Sequence, residues 1–157
     1  MSADFAERRV KMVDGQIRTT DVTSAPLLDA MLVVPREAFV APVQRDLAYI
    51  DEDIRIANGA DGPRYLMEPS PLAKLMQLAE IDPGDSALDV GCSVEKVPAS
   101  LLDQLAEGGR LVAVEGQGNS GVARLFLKTG GVVTGRGAFN AAIKPLPGFE
   151  RIRAFEF

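Results

Sequence analysis

Apolar residues recur at helical spacing in the first part of the chain and at strand spacing near its end. From Ala3 to about Arg18, the residues Phe5, Ala6, Val10, Val13 and Ile17 form one stripe with charged residues between them, which predicts an amphipathic helix. Ser24 and Pro26 supply an entry signal for a second, short apolar helix from Leu27 to Val34, stopped by Pro35. After Phe39 and Val40 the pattern turns polar and irregular through Asn58 to Pro63, a loop signal. Pro69 to Ala79 reads as a third helix, followed by the turn residues Asp82 to Asp85. Ala87 to Gly91 then reads as a short buried strand running into glycine, and Pro98 to Glu107 as a helix closed by Gly108 and Gly109. Arg110 to Val114 is strand-like, and Val122 to Lys128 alternates and returns through Gly130 and Gly131 into Val132 to Thr134 as a hairpin. The proline- and aromatic-rich end suggests an edge segment. Helices first, then strand, helix, strand and hairpin, predict an α/β sheet with parallel and antiparallel parts on which the N-terminal helices pack.

Composition narrows this picture. With 157 residues, 46% of them hydrophobic, the chain suits a single domain over 1–157, mainly helical over 1–80 and sheet-forming over 86–157. Its net charge of −5, spread without a basic cluster, argues against nucleic acid as partner. One cysteine, no leader-like N-terminus and no apolar run of bilayer length lead us to expect a cytoplasmic protein without membrane partners. There is no histidine, which removes imidazole-based triads and most zinc sites; no metal is expected.

The sharpest local signal is Ala87-Leu88-Asp89-Val90-Gly91-Cys92. A strand ending in glycine lets backbone amides approach a nucleotide-like ligand at the carboxyl end of a parallel sheet; a core strand with a turn glycine would look the same. With the helix from Pro98 and the strand Leu111 to Glu115 it forms a βαβ pattern. Glu115 follows Gly91 by 24 residues, near the ~20 expected of a ribose-binding acid, and is otherwise a solvated strand end. Gly116 to Gly121 satisfies G-x-G-x-x-G, but the residues after it alternate as a strand, so the helix that would receive a phosphate is missing and a turn is the better reading. Cys92 is a thiol without an activating base. Asp51, Glu52 and Asp53 could hold a cation or mark a solvated loop, and Tyr49 and Tyr65 could line a groove or pack.

Leu88-Asp89-Val90-Gly91-Cys92 also resembles the opening of the first motif of S-adenosylmethionine-dependent methyltransferases. Val34-Pro35-Arg36-Glu37-Ala38-Phe39-Val40, Leu47-Ala48-Tyr49 and Leu101 to Val112 are similar, in order, to segments of the protein-L-isoaspartate O-methyltransferase family. The resemblance implies a Rossmann-like methyltransferase sheet and methyl transfer from S-adenosylmethionine to isoaspartyl carboxylates of damaged proteins. By this resemblance Asp89 and Gly91 sit at the cofactor, with Glu115 added as a replacement ribose ligand. The methyl is attacked directly by the substrate carboxylate, so no catalytic residue is assigned.

Two departures accompany it. After Cys92 the chain continues as Ser93-Val94-Glu95-Lys96-Val97-Pro98, similar to the family's sequence well downstream, so the strands and helices between are absent. Met67 stands where the family carries a serine near the methyl-accepting carboxylate, and a thioether donates no hydrogen bond. The alternative function is therefore a catalytically inactive remnant acting as a protein-interaction scaffold. The family's strand order, 3-2-1-4-5-7-6, would shrink to 1-5-7-6. Leu88 to Val90 is then expected to pair with Leu111 to Val114, and the bare edge of the first strand predicts a homo-oligomer.

Overall fold

The computed structural model describes residues 4–60, 62–89, 93–117 and 120–149. The chain divides into two compact units, Met1–Ala87 and Leu88–Phe157.

In the first unit, α1 (Phe5–Met12) starts where the Asp4 carboxylate accepts the Glu7 amide at 3.1 Å. It continues through a π turn, Val13–Ile17, and a 3₁₀ turn, Arg18–Thr20, so the predicted helix passes Gly15 unbroken. The second helix, α2 (Ala25–Val33), carries proline in its first turn and stops at Val34, which is extended because Pro35 disfavours helical backbone before it. The third, α3 (Pro69–Ala79), spans its predicted residues and ends with Glu80 in the left-handed region. Met12, Val13, Ile17, Val22, Leu27, Leu28, Val40, Ala48, Tyr49, Ile54 and Ala73 form this unit's core, drawn from all three helices and from the turns between them.

One element was not anticipated. Residues expected to form an irregular loop make an antiparallel hairpin, β1 (Ile54–Gly59) with β2 (Gly62–Leu66). Only Ile54 of β1 is buried and the register shifts between Arg55 and Ala57, so no apolar alternation advertises the strand.

The second unit carries a four-stranded mixed sheet in the order β3 (Ser93–Val94), β4 (Arg110–Gln117), β5 (Ser120–Thr129), β6 (Val132–Asn140). β3 and β4 are parallel and joined through α4 (Ala99–Asp103); the remaining pairs are antiparallel. This is the expected α/β class, with its parallel pair and C-terminal hairpin. Gly130 and Gly131, at φ 59° and 76°, make the two-residue turn between β5 and β6.

Three details differ from expectation. The parallel partner of β4 is Ser93–Val94, paired with Val114 and Glu115, whereas Leu88 and Asp89 are exposed and outside any strand. Val90, Gly91 and Cys92 lie outside the described residues. The apolar run predicted a strand, but residues join a sheet only where a ladder partner is available, and β4 offers its carboxyl half to the residues that follow.

The strand order is sequential rather than 1-5-7-6, because β4 takes β5 as its antiparallel partner along its whole length, from Arg110 opposite Leu127 to Gln117 opposite Ser120. Finally, α4 is shorter than predicted. Glu107, expected inside it, instead accepts the Gly130 and Gly131 amides and braces the β5–β6 turn.

The outer edge of β3 is not bare. Ser93 donates its amide to Lys144 O at 3.3 Å and accepts from the Leu146 amide at 2.8 Å, while its hydroxyl donates to Ile143 O at 3.0 Å. Residues 143–146 thus lie along β3 as a strap, with Ile143 and Leu146 buried. The edge from which self-association was expected is covered by the chain itself.

Candidate functional site

In the first unit, three charged side chains converge on the segment that enters α3. Arg36, only 7% exposed, donates to Ala48 O at 2.7 Å and to Met67 O. Asp53 accepts the Glu68 amide at 3.1 Å. Asp51 accepts the Ser70 amide at 3.1 Å and the Ser70 hydroxyl at 2.7 and 2.8 Å. Residues 67, 68 and 70 are therefore held from both sides, by a cation on a carbonyl and by carboxylates on amides. Pro69 has no amide to satisfy. Burial lowers the Arg36 pKa to about 10, against the opposing pull of Asp51, Asp53 and Tyr49.

A second polar group lies beside it. Tyr49 donates its hydroxyl to Glu37 and accepts from Arg9 Nε at 3.0 Å, and Arg9 pairs with Glu37 at 3.2 Å. Burial alone would raise the Glu37 pKa, but hydrogen bonds from Tyr49 and Arg9 outweigh it and hold the carboxyl below its ordinary value. Burial and the Glu37 acceptor push the Tyr49 hydroxyl up. Gln16, on the π turn, donates to Tyr49 O at 3.0 Å. Tyr49 thus packs and anchors rather than lining an open groove, and Tyr65 is half-buried on β2.

Sequence reasoning placed Arg36 in a motif without a role and read Asp51 to Asp53 as a cation site or a solvated loop. Their job is visible only once β1 and β2 fold the chain back and bring residue 51 to residue 70. Alternate acids ahead of a strand, followed by Pro-Ser-Pro at a helix start, were the available hint. Among the described residues, no three carboxylate or cysteine side chains are placed to share a metal ion.

In the second unit, the carboxyl ends of β3 and β4 are where an open α/β sheet receives a ligand. Glu115 is there, paired with Val94 across the parallel ladder. Its carboxylate already has partners: one oxygen accepts the Val97 amide at 2.8 Å and the other meets Arg124 Nε at 3.1 Å. The position is the one a ribose ligand would take, and a sugar hydroxyl there would share or replace these partners. Asp89 is exposed in a segment without regular structure, and Gly91 falls outside the described residues. Gly116 to Gly121 joins β4 to β5, with Gly116 opposite Gly121, and leads into a strand, so it has no helix N-terminus to offer a phosphate.

The sequence model of the family described as protein-L-isoaspartate(D-aspartate) O-methyltransferase matches residues 7–94, more than half of the chain. The chain belongs to this family. It is 36% identical over 111 residues to the protein-L-isoaspartate O-methyltransferase of Aeropyrum pernix, covering 71% of this chain and 41% of that protein. It is 32% identical over 114 residues to protein-L-isoaspartate O-methyltransferase 1 of Rhodopseudomonas palustris, covering 73% and 44%. A solved protein-L-isoaspartate O-methyltransferase structure superposes with a TM-score of 0.68 over 89% of this chain and 66% of that one, at 18% identity, which shows the shared fold.

The chain thus spans less than half the length of these curated relatives. For the protein-L-isoaspartate O-methyltransferase family, the matched stretch contains the whole Arg36–Asp51–Asp53 clasp and ends at Val94, in β3.

Proposed function

We propose that this chain is a protein-L-isoaspartate O-methyltransferase-like protein whose acceptors are isoaspartyl-bearing protein or peptide chains in the cytoplasm. The supporting observation is the clasp of Arg36, Asp51 and Asp53 on residues 67–70, which lies within the part of the chain that matches the family. Its three charges fix the segment ahead of any substrate, and such prior ordering lowers the entropic cost of holding an acceptor. Met67, at the clasp's centre, offers an acceptor a thioether in place of a hydroxyl donor.

The family resemblance makes S-adenosylmethionine the methyl donor, with Asp89, Gly91 and Glu115 as the residues to hold it. As folded, Glu115 is engaged by the Val97 amide and by Arg124. Ribose binding there requires the Val97–Glu115 bond to be shared with or exchanged for a sugar hydroxyl, so no step is derived through the cofactor.

Isothermal titration calorimetry with S-adenosylmethionine and S-adenosylhomocysteine tests the reading. Micromolar binding that Glu115→Ala weakens is the expected result. No heat from a cooperatively folded chain would reject the cofactor site and leave the inactive interaction scaffold.

A further inference from the structure

The strap on β3 reaches its seat by an unusually short route. Asn140 ends β6 and pairs with Val122, Val122 pairs with Glu115, and Glu115 pairs with Val94. Asn140 and Val94 therefore lie in one row across the sheet, three strand spacings apart, and Pro145 lies one spacing further, beside Ser93. Four spacings on a flat sheet amount to ~19 Å. The five residue steps from Asn140 to Pro145 supply about 18 Å at full extension. The sheet therefore curls, and the connection is short for the number of strands it crosses.

The crossing runs over a defined face. Ala141 still bonds to β5, its amide on Gly121 O at 2.9 Å, and a side chain on Gly121 would meet Ala141 O at 2.8 Å and Val114 Cγ1 at 2.7 Å. Ser93 pairs with Val114, and Val114 with Ala123, so their side chains share this face. Val114 and Ala123 are 1% and 0% exposed, and the Ser93 hydroxyl reaches Ile143 O. The strap thus covers the outer edge of β3 beside this face. Among the described residues the strap is held there by two backbone hydrogen bonds, the Ser93 hydroxyl and two buried side chains, at the end of a short linker.

A short hinge joined to an edge seat held by so few contacts favours exchange of that segment between copies. We propose that residues 141–149 exchange between two copies of this chain, each strap lying along β3 of the other. The swapped dimer keeps every strap contact, and its linker runs between molecules instead of across one sheet. It creates no new seat, and the partner's chemistry is set by the seat's own strap sequence, Ile143-Lys144-Pro145-Leu146.

Light scattering after size exclusion, on the full chain refolded from urea at low and high protein concentration, is the test. The dimer fraction is expected to rise with refolding concentration. Inserting Gly-Ser-Gly between Ala141 and Ala142, which slackens the crossing, should lower it at least tenfold. Leu146→Asp spoils the strap and Ser93→Pro removes the seat's donor; each alone should stay monomeric, and an equal mixture refolded together should regain dimer through the one intact strap and seat. A chain monomeric at every concentration, a dimer indifferent to the insertion, or a mixture that gains nothing overturns the proposal. If either substituted variant lacks a folded circular-dichroism spectrum, the comparison with the inserted chain decides.

Discussion

The two units solve the same problem, fixing a chain segment in place, by different means. In Met1–Ala87 the segment at residues 67–70 is fixed by three charged side chains, each reaching across many residues of sequence. In Leu88–Phe157 the strands are fixed largely by backbone: ladders between adjacent strands, a glycine turn between β5 and β6, and a strap hydrogen-bonded to an edge. The first arrangement lies wholly within the family match; most of the second lies beyond it. The difference teaches that a shortened sheet can be completed by backbone pairing, which most side chains permit, whereas a placed polar segment depends on particular charged side chains being retained together.

Removing the clasp should have the largest effect. Arg36→Ala leaves the buried Ala48 carbonyl and the half-buried Met67 carbonyl without their donor and removes the cation near Asp51 and Asp53, and is expected to cost about 3–5 kcal/mol, read as a shift in urea midpoint. Ile17→Ala, at a fully buried position, should cost about 2–5 kcal/mol, while Leu88→Ala, at 85% exposure, should stay within about 0.5 kcal/mol. A large loss at Leu88 would restore the buried strand expected from sequence and break the contrast drawn for the second unit.

Gly131→Ala puts a Cβ at φ 76° in open space, so backbone strain is its whole cost, about 1–2 kcal/mol by thermal unfolding. The smallest effect concerns pH. Glu37 titrates lower in the folded chain than in the unfolded one, so its stabilisation is full above about pH 4.5, the ordinary value, and is lost as pH falls through the folded value. Glu37→Gln should flatten that part of the stability profile. An unchanged acid limb would remove Glu37 from the account.

The legible parts of the fold were those with a strong local period. The third helix has its apolar stripe and prolines at the start, and the β5–β6 hairpin has alternation around Gly130-Gly131; both stand where the sequence puts them. The β1–β2 hairpin stayed hidden because its side chains are mostly exposed and its register is broken. β3 was misplaced because Leu88 carries the apolar signal while Ser93 and Val94 have the partner.

The candidate site followed the same rule. Glu115 could be picked out by spacing, but its engagement with Val97 and Arg124 is a tertiary fact. The union of Asp51 with Ser70 depends on an intervening hairpin that local pattern did not disclose.

The sequential order of β4, β5 and β6 sets a timetable for folding. Contacts between adjacent strands close loops of a few residues, which hairpins do in microseconds, whereas joining Pro145 to Ser93 closes a loop of about fifty residues and meets a larger entropic barrier. The meander therefore forms early and the strap arrives last. During synthesis as in refolding, there is an interval in which the sheet is built and its last edge is still open to whichever strap reaches it first.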